Sequence, residues 1–512
     1  MVKPSRGGPW QRIRSALAKD LARLGAALRP GSRGRSGLHC YRISSDGMER
    51  RLHLRIAGDG SAVLLIDASE AVHLNPTAAA AAKLALEGTS LARAWGVLRR
   101  GVPRPSLDEA RLGVEEVFRL VEHLRTQGDG CPTCGLTNVG RVPVFSQPVH
   151  APYKADLALT YACNNACGHC YNPPARRTMQ SLNVKQWRRV IARLAEIGVP
   201  HVVFTGGEPT LHDPLLELIA HARRSNLIVG LNTNGRRLAE PGFTRTLADA
   251  GLNHAQITLE SHRAETHNAM TGAASFDETV AGVRRSLDAG LHTITNTTLT
   301  RRNIDEVESL VDFLHGLGLC TIAANGMIHA GCGHDSPEAV AEDELAPALT
   351  RLRDRAGELS MRFLWYTPTA YCRLSPLELD LGPRRCNAAE YSICVEPNGD
   401  VLPCQSYYEP AGNLLADPWN AIWNSPLFKR FRRRATDPTG GGLPESCRAC
   451  PDLSVCGGGC PLERESRFHA EARRRLFIWR ESPGKVRGRM APSSAAYSSI
   501  DSSVHRLPDF EK

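Results

Sequence analysis

The sequence predicts an α/β protein whose central part is a partial, TIM-like (βα)6 barrel. Two observations support this. Six short apolar runs alternate with helical patterns between residues 156 and 323, and the polar and glycine-rich motifs of this region follow the strands. Strands joined by helices run parallel, and parallel barrels carry their chemistry at the C-terminal strand ends. We therefore expect a catalytic site at that end.

The elements of the barrel follow from hydrophobic periodicity. The predicted strands, in chain order, are Leu157–Thr160, Val202–Thr205, Ile228–Asn232, Ala255–Leu259, Thr293–Thr298 and Thr321–Ala324. The predicted helices are Val184–Glu196, Pro214–Arg224, Thr244–Ala250, Phe276–Ala289 and Ile304–His315. Asn183 precedes the first helix and is a favourable N-cap residue.

Three thiols follow the first barrel strand at C-x3-C-x2-C spacing, namely Cys163, Cys167 and Cys170. Thiolates are the usual ligands of iron–sulfur clusters, and a [4Fe-4S] cubane has four irons to ligate. Three cysteines leave one iron open to a cofactor or substrate. A zinc knuckle is the alternative, but His169 is poorly placed to complete its tetrahedral ligand set.

This thiol spacing resembles the radical SAM superfamily, as do three motifs at the ends of later strands: Thr205-Gly-Gly-Glu-Pro209, Leu231-Asn-Thr-Asn-Gly235 and Ile257-Thr-Leu-Glu-Ser261. The resemblance implies that the open iron binds the amino and carboxylate groups of S-adenosylmethionine (SAM), whose cleavage yields a 5′-deoxyadenosyl radical. The SAM-binding residues that it implies are Gly206, Gly207, Glu208, Asn232, Thr233, Asn234, Thr258 and Glu260.

The chain departs from many relatives in one segment. Where they carry Arg before Gly, His267–Gly272 has Thr271. We therefore expect Arg263 or Arg302 to bind the SAM carboxylate. The sequence identifies no catalytic acid or base, and the candidates for the barrel mouth are Tyr171, Asn325, His329, Cys320, Cys332 and Cys372.

A second cysteine cluster resembles the SPASM extension, which carries auxiliary [4Fe-4S] clusters. The resemblance implies one cluster held by Cys386, Cys394, Cys404 and Cys460, and a second held by Cys447, Cys450 and Cys456. No cysteine follows Cys460, so the second cluster has either an open iron or another ligand. The candidate ligands are Glu463, His469 and one thiol of the Cys131/Cys134 pair, and the alternative to this second cluster is zinc or a degenerate cluster.

Residues 38–127 carry a predicted hairpin, a third strand and three helical patterns. Arg51–Ile56 and Ser61–Ile66 alternate around the turn Gly58-Asp-Gly60, and Ala71–Thr77 leads into an Ala-rich helix. Three strands followed by three helices resemble the RiPP recognition element, a winged-helix domain that binds a leader peptide as an added strand. The alternative is a winged helix that reads DNA.

The remaining segments complete the predicted organisation. The predicted domains are a basic extension with an amphipathic helical pattern (1–37), the leader-binding domain (38–127), a C-x2-C linker (128–155), the barrel (156–335), a helical connector (336–385), the SPASM domain (386–480) and a disordered tail (481–512).

Composition indicates the cellular compartment and the classes of partner to expect. The chain has 512 residues and a net charge of +10 that is widely spread, and no RNA-binding motif accompanies it, so no nucleic-acid partner is expected. Its 16 cysteines lie mostly in C-x2-C and C-x3-C pairs, which favours metal binding in a reducing compartment. No secretory signal or run of 18 apolar residues is present. We expect a cytoplasmic enzyme without a membrane partner.

These expectations together predict a radical SAM oxidoreductase that matures a ribosomal precursor peptide. Its product would be a thioether or carbon–carbon crosslink, or less readily an epimerised residue, and its electrons would come from a low-potential donor such as flavodoxin or ferredoxin. One alternative is a sulfatase-maturase-like or quinone-cofactor-biosynthesis dehydrogenase. A further hypothesis, from another class of protein, is a DNA-binding iron–sulfur redox regulator.

Overall fold

The computed structural model describes residues 37–45, 48–66, 70–102, 106–126 and 149–467. The predicted basic extension up to residue 36, the Cys131/Cys134 pair, His469 and the tail lie outside these residues. The described residues form two sheets, one of four strands and one of nine.

The small sheet is an antiparallel meander. Its strands, each paired with the next, are β1 Gly37–Ser45, β2 Met48–Ile56, β3 Ala62–Ile66 and β4 Glu70–Leu74. The sequence predicted three of these strands. The additional strand β1 pairs with β2 along its whole length, from Gly37 opposite Ile56 to Ser45 opposite Met48. Its apolar residues are interrupted by His39 and Arg42, which weakens the alternating pattern that identifies a strand.

Three helices cover one face of the small sheet: α1 Pro76–Leu86, α2 Leu91–Leu98 and α3 Leu107–Thr126. Asn75 caps α1, since its side chain accepts a hydrogen bond from the backbone N–H of Ala78 at 2.9 Å. Leu52 and Leu54 of β2 are fully buried against these helices.

The other face of β2 contacts the barrel. Side chains alternate along a strand, so Arg51, His53 and Arg55 point away from Leu52 and Leu54. Their hydrogen bonds reach backbone oxygens within three residues before barrel strands: Arg51 to Leu227 at 3.1 Å, His53 to Asn226 at 2.8 Å, and Arg55 to Pro152 at 3.1 Å and Gly198 at 3.3 Å. The small sheet therefore lies against the N-terminal ends of the barrel strands.

The large sheet confirms the predicted fold class. Its six central parallel strands are β5 Lys154–Thr160, β6 His201–Gly206, β7 Ile228–Thr233, β8 His254–Thr258, β9 His292–Thr298 and β10 Thr321–Asn325. Strand β11 (Arg362–Trp365) extends it beside β10, while β12 (Ser392–Val395) pairs parallel with β5 and β13 (Val401–Leu402) pairs antiparallel with β12. The second cysteine-rich region thus continues the barrel sheet.

Helices surround the large sheet. In chain order they are α4 Val184–Ile197, α5 Leu215–Arg224, α6 Phe243–Ala250, α7 Ala264–Thr271, α8 Phe276–Asp288, α9 Val307–Gly316, α10 Ala346–Glu358, α11 Trp419–Trp423, α12 Pro426–Arg433 and α13 Leu453–Cys456. Trp187 of α4 and Phe204 of β6 are fully buried in the core that these layers share. Within the part of the chain that the structure describes, no helix is both long and apolar enough to cross a membrane.

A histidine pair at the N-terminal end of the barrel predicts acid sensitivity. The Nε2 atoms of His201 and His254 lie 2.7 Å apart. Burial, and then the neighbouring His292 and Lys154, lower the pKa of His254 from 6.5 to about 4. Because the unfolded chain binds this proton more readily, stability is complete above pH 6.5 and falls as the pH drops toward the folded pKa, by up to about 3 kcal/mol.

Urea unfolding between about pH 7 and about pH 5 measures this effect. The variant His254→Gln retains a polar group for His201 but does not titrate, so its stability should depend less steeply on pH. Equal pH slopes for the variant and the natural protein would contradict the assignment.

Candidate functional site

The three thiols of the C-x3-C-x2-C motif lie together in the loop after β5. The loop is held against the end of α7, since the N–H groups of Ala166 and Gly168 donate to the carbonyl oxygens of Thr271 and Met270 at 2.9 and 3.1 Å. Burial raises the pKa of Cys167, and the nearby Glu260, Cys170 and Cys163 raise it further. Cys163 and Cys170 can raise the pKa of Cys167 in this way only because the three thiols are neighbours.

This donor set fits a cubane better than a single zinc ion. Zinc is held by four ligands that converge on one atom, whereas the ligands of a cubane each reach a different iron. The C-x3-C-x2-C loop supplies three thiols, one ligand fewer than a structural zinc site takes. The soft thiol donors suit iron–sulfur chemistry.

The two glycines of the Thr205–Pro209 motif let the end of β6 lie directly against the cysteine loop. A Cβ atom on Gly206 would lie 2.1 Å from the Thr160 oxygen, and one on Gly207 would lie 2.4 Å from the Ala162 oxygen. The Gly207 N–H donates to Thr160 O at 2.7 Å. Only residues without a side chain allow this close approach.

Glu208 joins the ends of β6 and β7. Its side chain is fully buried, and Oε1 accepts hydrogen bonds from the hydroxyls of Thr210 and Thr233 at 2.6 and 2.7 Å. Oε2 accepts from the Asn234 N–H at 2.8 Å. A direct contact with SAM stays a prediction; in the structure this carboxylate holds two strand ends together.

The predicted residues of the next strands line the C-terminal ends of β7 and β8. Asn232 and Thr258 are half-buried, and Thr233 is buried. Asn234 donates from Nδ2 to Asn164 Oδ1 in the cysteine loop at 2.7 Å. The structure thus brings the predicted set to one end of the barrel, next to the thiols.

Glu260 also contacts the cysteine loop. Its fully buried carboxylate lies 2.9 Å from Nε2 of His169, and its other oxygen accepts from the Thr298 N–H at 2.7 Å. Burial lowers the pKa of His169 and the adjacent carboxylate raises it, with a net upward shift. The pair fixes the loop between Cys167 and Cys170 to the end of β8.

The two arginines expected to bind the SAM carboxylate are each paired with a carboxylate of the protein. Arg263 lies 3.3 Å from Glu306, and Arg302 lies 2.8 Å from Glu338. Sequence reasoning missed Arg177, whose charge lowers the pKa of Cys163 and of Cys170 against the larger effect of burial. A cation beside thiols favours their thiolate form.

One residue at the barrel mouth was not predicted from the sequence, and only some of the predicted candidates lie there. Asn296 of β9 lies opposite Thr258 and donates to Asn325 Oδ1 at 2.7 Å. Asn296 could have been identified from the sequence as a polar side chain within a buried strand. The Cys332 N–H donates to Cys170 O at 2.8 Å, which brings this residue beside the loop, whereas Cys320 precedes β10 at the opposite end of the strands.

The four thiols predicted for the first auxiliary cluster lie near one another, because Cys386 neighbours Cys404 and Cys460, and Cys404 neighbours Cys394. Burial and then Cys386 raise the pKa of Cys404 and of Cys460, each to about 12. Cys394 is fully buried on β12, opposite Asp156 of β5, and packs in a small cluster with Tyr161. Its ligand role stays a prediction.

The thiols predicted for the second auxiliary cluster also lie together. Burial raises the pKa of Cys447, and the nearby thiols of Cys456, Cys372 and Cys450 raise it further. Glu463, a candidate fourth ligand, is instead paired with His329 at 2.7 Å and with Arg373 at 3.1 Å.

Comparisons with known proteins agree with this geometry. Residues 157–314 match the family described as the radical SAM superfamily, and residues 386–451 match SPASM, an iron–sulfur cluster-binding domain. The PqqA peptide cyclase of Streptomyces rochei is 30% identical over 320 residues, which cover 61% of this chain and 85% of the cyclase. The chain belongs to the radical SAM superfamily.

Two further similarities extend the comparison. The mycofactocin maturase MftC of Mycolicibacterium smegmatis is 29% identical over 343 residues, 64% of this chain and 83% of the maturase. The structure of Streptococcus suis SuiB bound to S-adenosylmethionine has a TM-score of 0.59 at 17% identity and covers 82% of this chain and 95% of SuiB. The latter likeness supports the fold.

The protein is therefore a radical SAM enzyme. Its cofactors are a [4Fe-4S] cluster that binds SAM and the auxiliary iron–sulfur centres of a SPASM domain.

Proposed function

We propose that this radical SAM enzyme modifies a ribosomally made precursor peptide. The product is a thioether or carbon–carbon crosslink, with epimerisation the less favoured outcome. The observation that carries the proposal is the 30% identity to a PqqA peptide cyclase over 85% of that protein's length. SuiB, which shares the fold, was solved with its precursor peptide SuiA.

Cys163, Cys167 and Cys170 are the ligands of the SAM-binding cluster. When bound, the cluster and SAM supply a 5′-deoxyadenosyl radical that abstracts hydrogen from the substrate. The chain contributes positioning: the His169–Glu260 pair holds the loop against β8, and Gly206 and Gly207 bring the end of β6 next to it. The half-buried Asn232 and Thr258, near the ends of β7 and β8, are the proposed polar contacts of SAM.

The auxiliary thiols are the ligands of two further clusters, Cys386, Cys394, Cys404 and Cys460 for the first and Cys447, Cys450 and Cys456 for the second. Crosslinking two residues removes two hydrogens: the first leaves as a hydrogen atom to the SAM-derived radical, and the second leaves as a proton and one electron, which needs an acceptor. Cluster potentials span a wide enough range to take up that one electron. A flavodoxin or ferredoxin supplies the electron that starts the reaction.

Residues 38–127 are the leader-binding domain. The antiparallel sheet supports this proposal, because β4 lies at one end of the strand order and, among the described residues, pairs only with β3. An exposed strand edge is a common receptor for an extended peptide. The other edge strand, β1, contacts helix α4 of the barrel, so the leader adds at the β4 edge.

Co-expression with the short open reading frame beside the gene, followed by mass spectrometry, tests the proposal. Loss of two hydrogens from the peptide indicates a crosslink or desaturation. Deuterium uptake from heavy water at unchanged formula indicates epimerisation. The expected result is modification of the intact precursor and much less of a precursor without its leader.

Two controls accompany this experiment. Cys163→Ala should leave the peptide unmodified, which assigns the change to radical chemistry. An unchanged peptide with the natural enzyme, when that enzyme cleaves SAM, would contradict the peptide substrate. Equal modification with and without the leader would contradict only the role of residues 38–127.

A further inference from the structure

The second auxiliary site has three predicted thiolate ligands, and a closed cubane needs a fourth ligand. Of the sequence-derived candidates for it, only Glu463 lies among the described residues, and its carboxylate faces two cationic side chains, His329 and Arg373. A cubane with three thiolates keeps one open iron, whereas four thiolates close it. The identity of the fourth ligand therefore decides whether this cluster can bind substrate.

A loop ahead of the SPASM region wraps around Cys456. The backbone N–H of Tyr371 donates to the Cys456 sulfur at 3.4 Å, and that sulfur lies 3.8 Å from the carbonyl oxygen of Thr369. The same loop packs tightly on the glycines after Cys456, since a Cβ atom on Gly459 would lie 2.8 Å from the Ala370 nitrogen. The loop thus touches the second auxiliary site directly.

The residues on both sides of Cys372 are anchored. On one side, the Tyr371 hydroxyl accepts a hydrogen bond from the Arg384 N–H at 2.9 Å. On the other, Arg373 donates to Glu342 at 2.9 Å and to Glu463 at 3.1 Å. Cys372 is therefore held at a fixed place, and it is exposed and not packed into a core.

That place is beside Cys456, because Cys372 directly follows Tyr371, whose N–H contacts the Cys456 sulfur at 3.4 Å. Cys447 and Cys450 lie in the turns that lead to Cys456, since the Cys450 N–H donates to Cys447 O at 3.3 Å and the Leu453 N–H donates to Cys450 O at 3.2 Å. Four thiols consequently share one small region, three from the SPASM region and one from the preceding loop.

We propose that Cys372 is the fourth thiolate ligand of the second auxiliary cluster. The inference rests on the proposed assignment of Cys447, Cys450 and Cys456 to that cluster, and it is independent of the substrate. With four thiolates the cluster has no open iron, so it transfers electrons and does not bind substrate. The ligand also ties the segment after β11 to the SPASM region.

Iron content and spectroscopy of the full-length chain test this assignment without relying on activity. The background carries Cys163→Ala, Cys167→Ala and Cys170→Ala, so that only auxiliary iron remains, about eight atoms per chain for two cubanes. In this background Cys372→Ala is compared with Cys320→Ala, which removes an exposed cysteine at the other end of the barrel. Cys447→Ala serves as the positive control.

The expected result is that Cys372→Ala loses between about one and about four irons per chain relative to Cys320→Ala, because a cubane without its fourth ligand sheds one iron or dissociates. If one iron is lost, an oxidised [3Fe-4S] signal appears in the EPR spectrum. Added 2-mercaptoethanol should restore the four-thiolate spectrum of the variant and leave that of Cys320→Ala unchanged.

Cys372→Ser distinguishes the loss of a ligand from misfolding. Its hydroxyl oxygen can still bind iron, so this variant is expected to keep the cluster but to change its reduction potential. The proposal is overturned if Cys447→Ala loses iron but Cys372→Ala has the same iron content and the same EPR spectrum as Cys320→Ala. If Cys447→Ala also keeps all its iron, the second cluster itself is wrong, and the peptide experiment above still decides the substrate.

Discussion

The variant Cys163→Ala is expected to lose SAM cleavage completely while it keeps its auxiliary clusters. The substitution removes one of three thiols that lie together after β5, and a cubane cannot bind SAM at one iron while also lacking a second ligand. The loss should be about four irons per chain, and 5′-deoxyadenosine should fall to the level seen without enzyme. Iron analysis and chromatography of anaerobically purified protein measure both.

The matched control is Cys320→Ala, because Cys320 is an exposed cysteine that precedes β10. It should cleave SAM as the natural protein does. The natural protein should hold well over four irons, and a total of only about four would rule out the auxiliary clusters assigned to the region from Cys386 to Cys460. Continued SAM cleavage by Cys163→Ala would refute the cluster assignment.

Gly207→Ala is expected to disrupt both the fold and the cofactor site. Its methyl group would lie 2.4 Å from Ala162 O and 2.5 Å from Tyr161 O, and backbone atoms cannot move aside as a flexible side chain does. The end of β6 and the cysteine loop must separate, at a cost of about 3 kcal/mol. Thermal unfolding of the purified protein and its iron content measure the effect.

Gly357→Ala provides the comparison. Gly357 lies exposed in α10 with no atom near its would-be Cβ, so alanine there should be neutral or stabilise by about 0.5–1 kcal/mol. Iron content should be unchanged. A Gly207→Ala protein as stable and as rich in iron as Gly357→Ala would show that the close approach of β6 to the loop is unimportant.

The strands of the barrel could be predicted because each is a short apolar run between helices, and that signal is local. Strands β11 and β12 were missed because they are four residues long and their pairing with β10 and β5 joins segments far apart in the chain. Helix α7 was missed for another reason. Its mixed polar sequence carries only a weak apolar stripe.

The candidate site shows a similar division. Motif spacing indicated which residues gather at the barrel mouth, but it could not indicate the direction of a side chain. Glu208 and Glu260 were predicted to contact SAM, and both carboxylates are fully buried in hydrogen bonds or ion pairs that hold strand ends and the cysteine loop. Cys372 gave no spacing signal because Cys456, whose sulfur contacts the N–H of the adjacent Tyr371, is distant in sequence.

The attachment of the small sheet to the N-terminal ends of the barrel strands has a consequence for any precursor peptide. A strand such as β6 has six residues, so the two ends of the barrel lie about 20 Å apart. An extended chain covers at most about 3.5 Å per residue. A peptide whose leader is bound at the β4 edge therefore needs at least about six residues between the leader and its first modified residue. With a shorter spacer, that residue could not reach the radical.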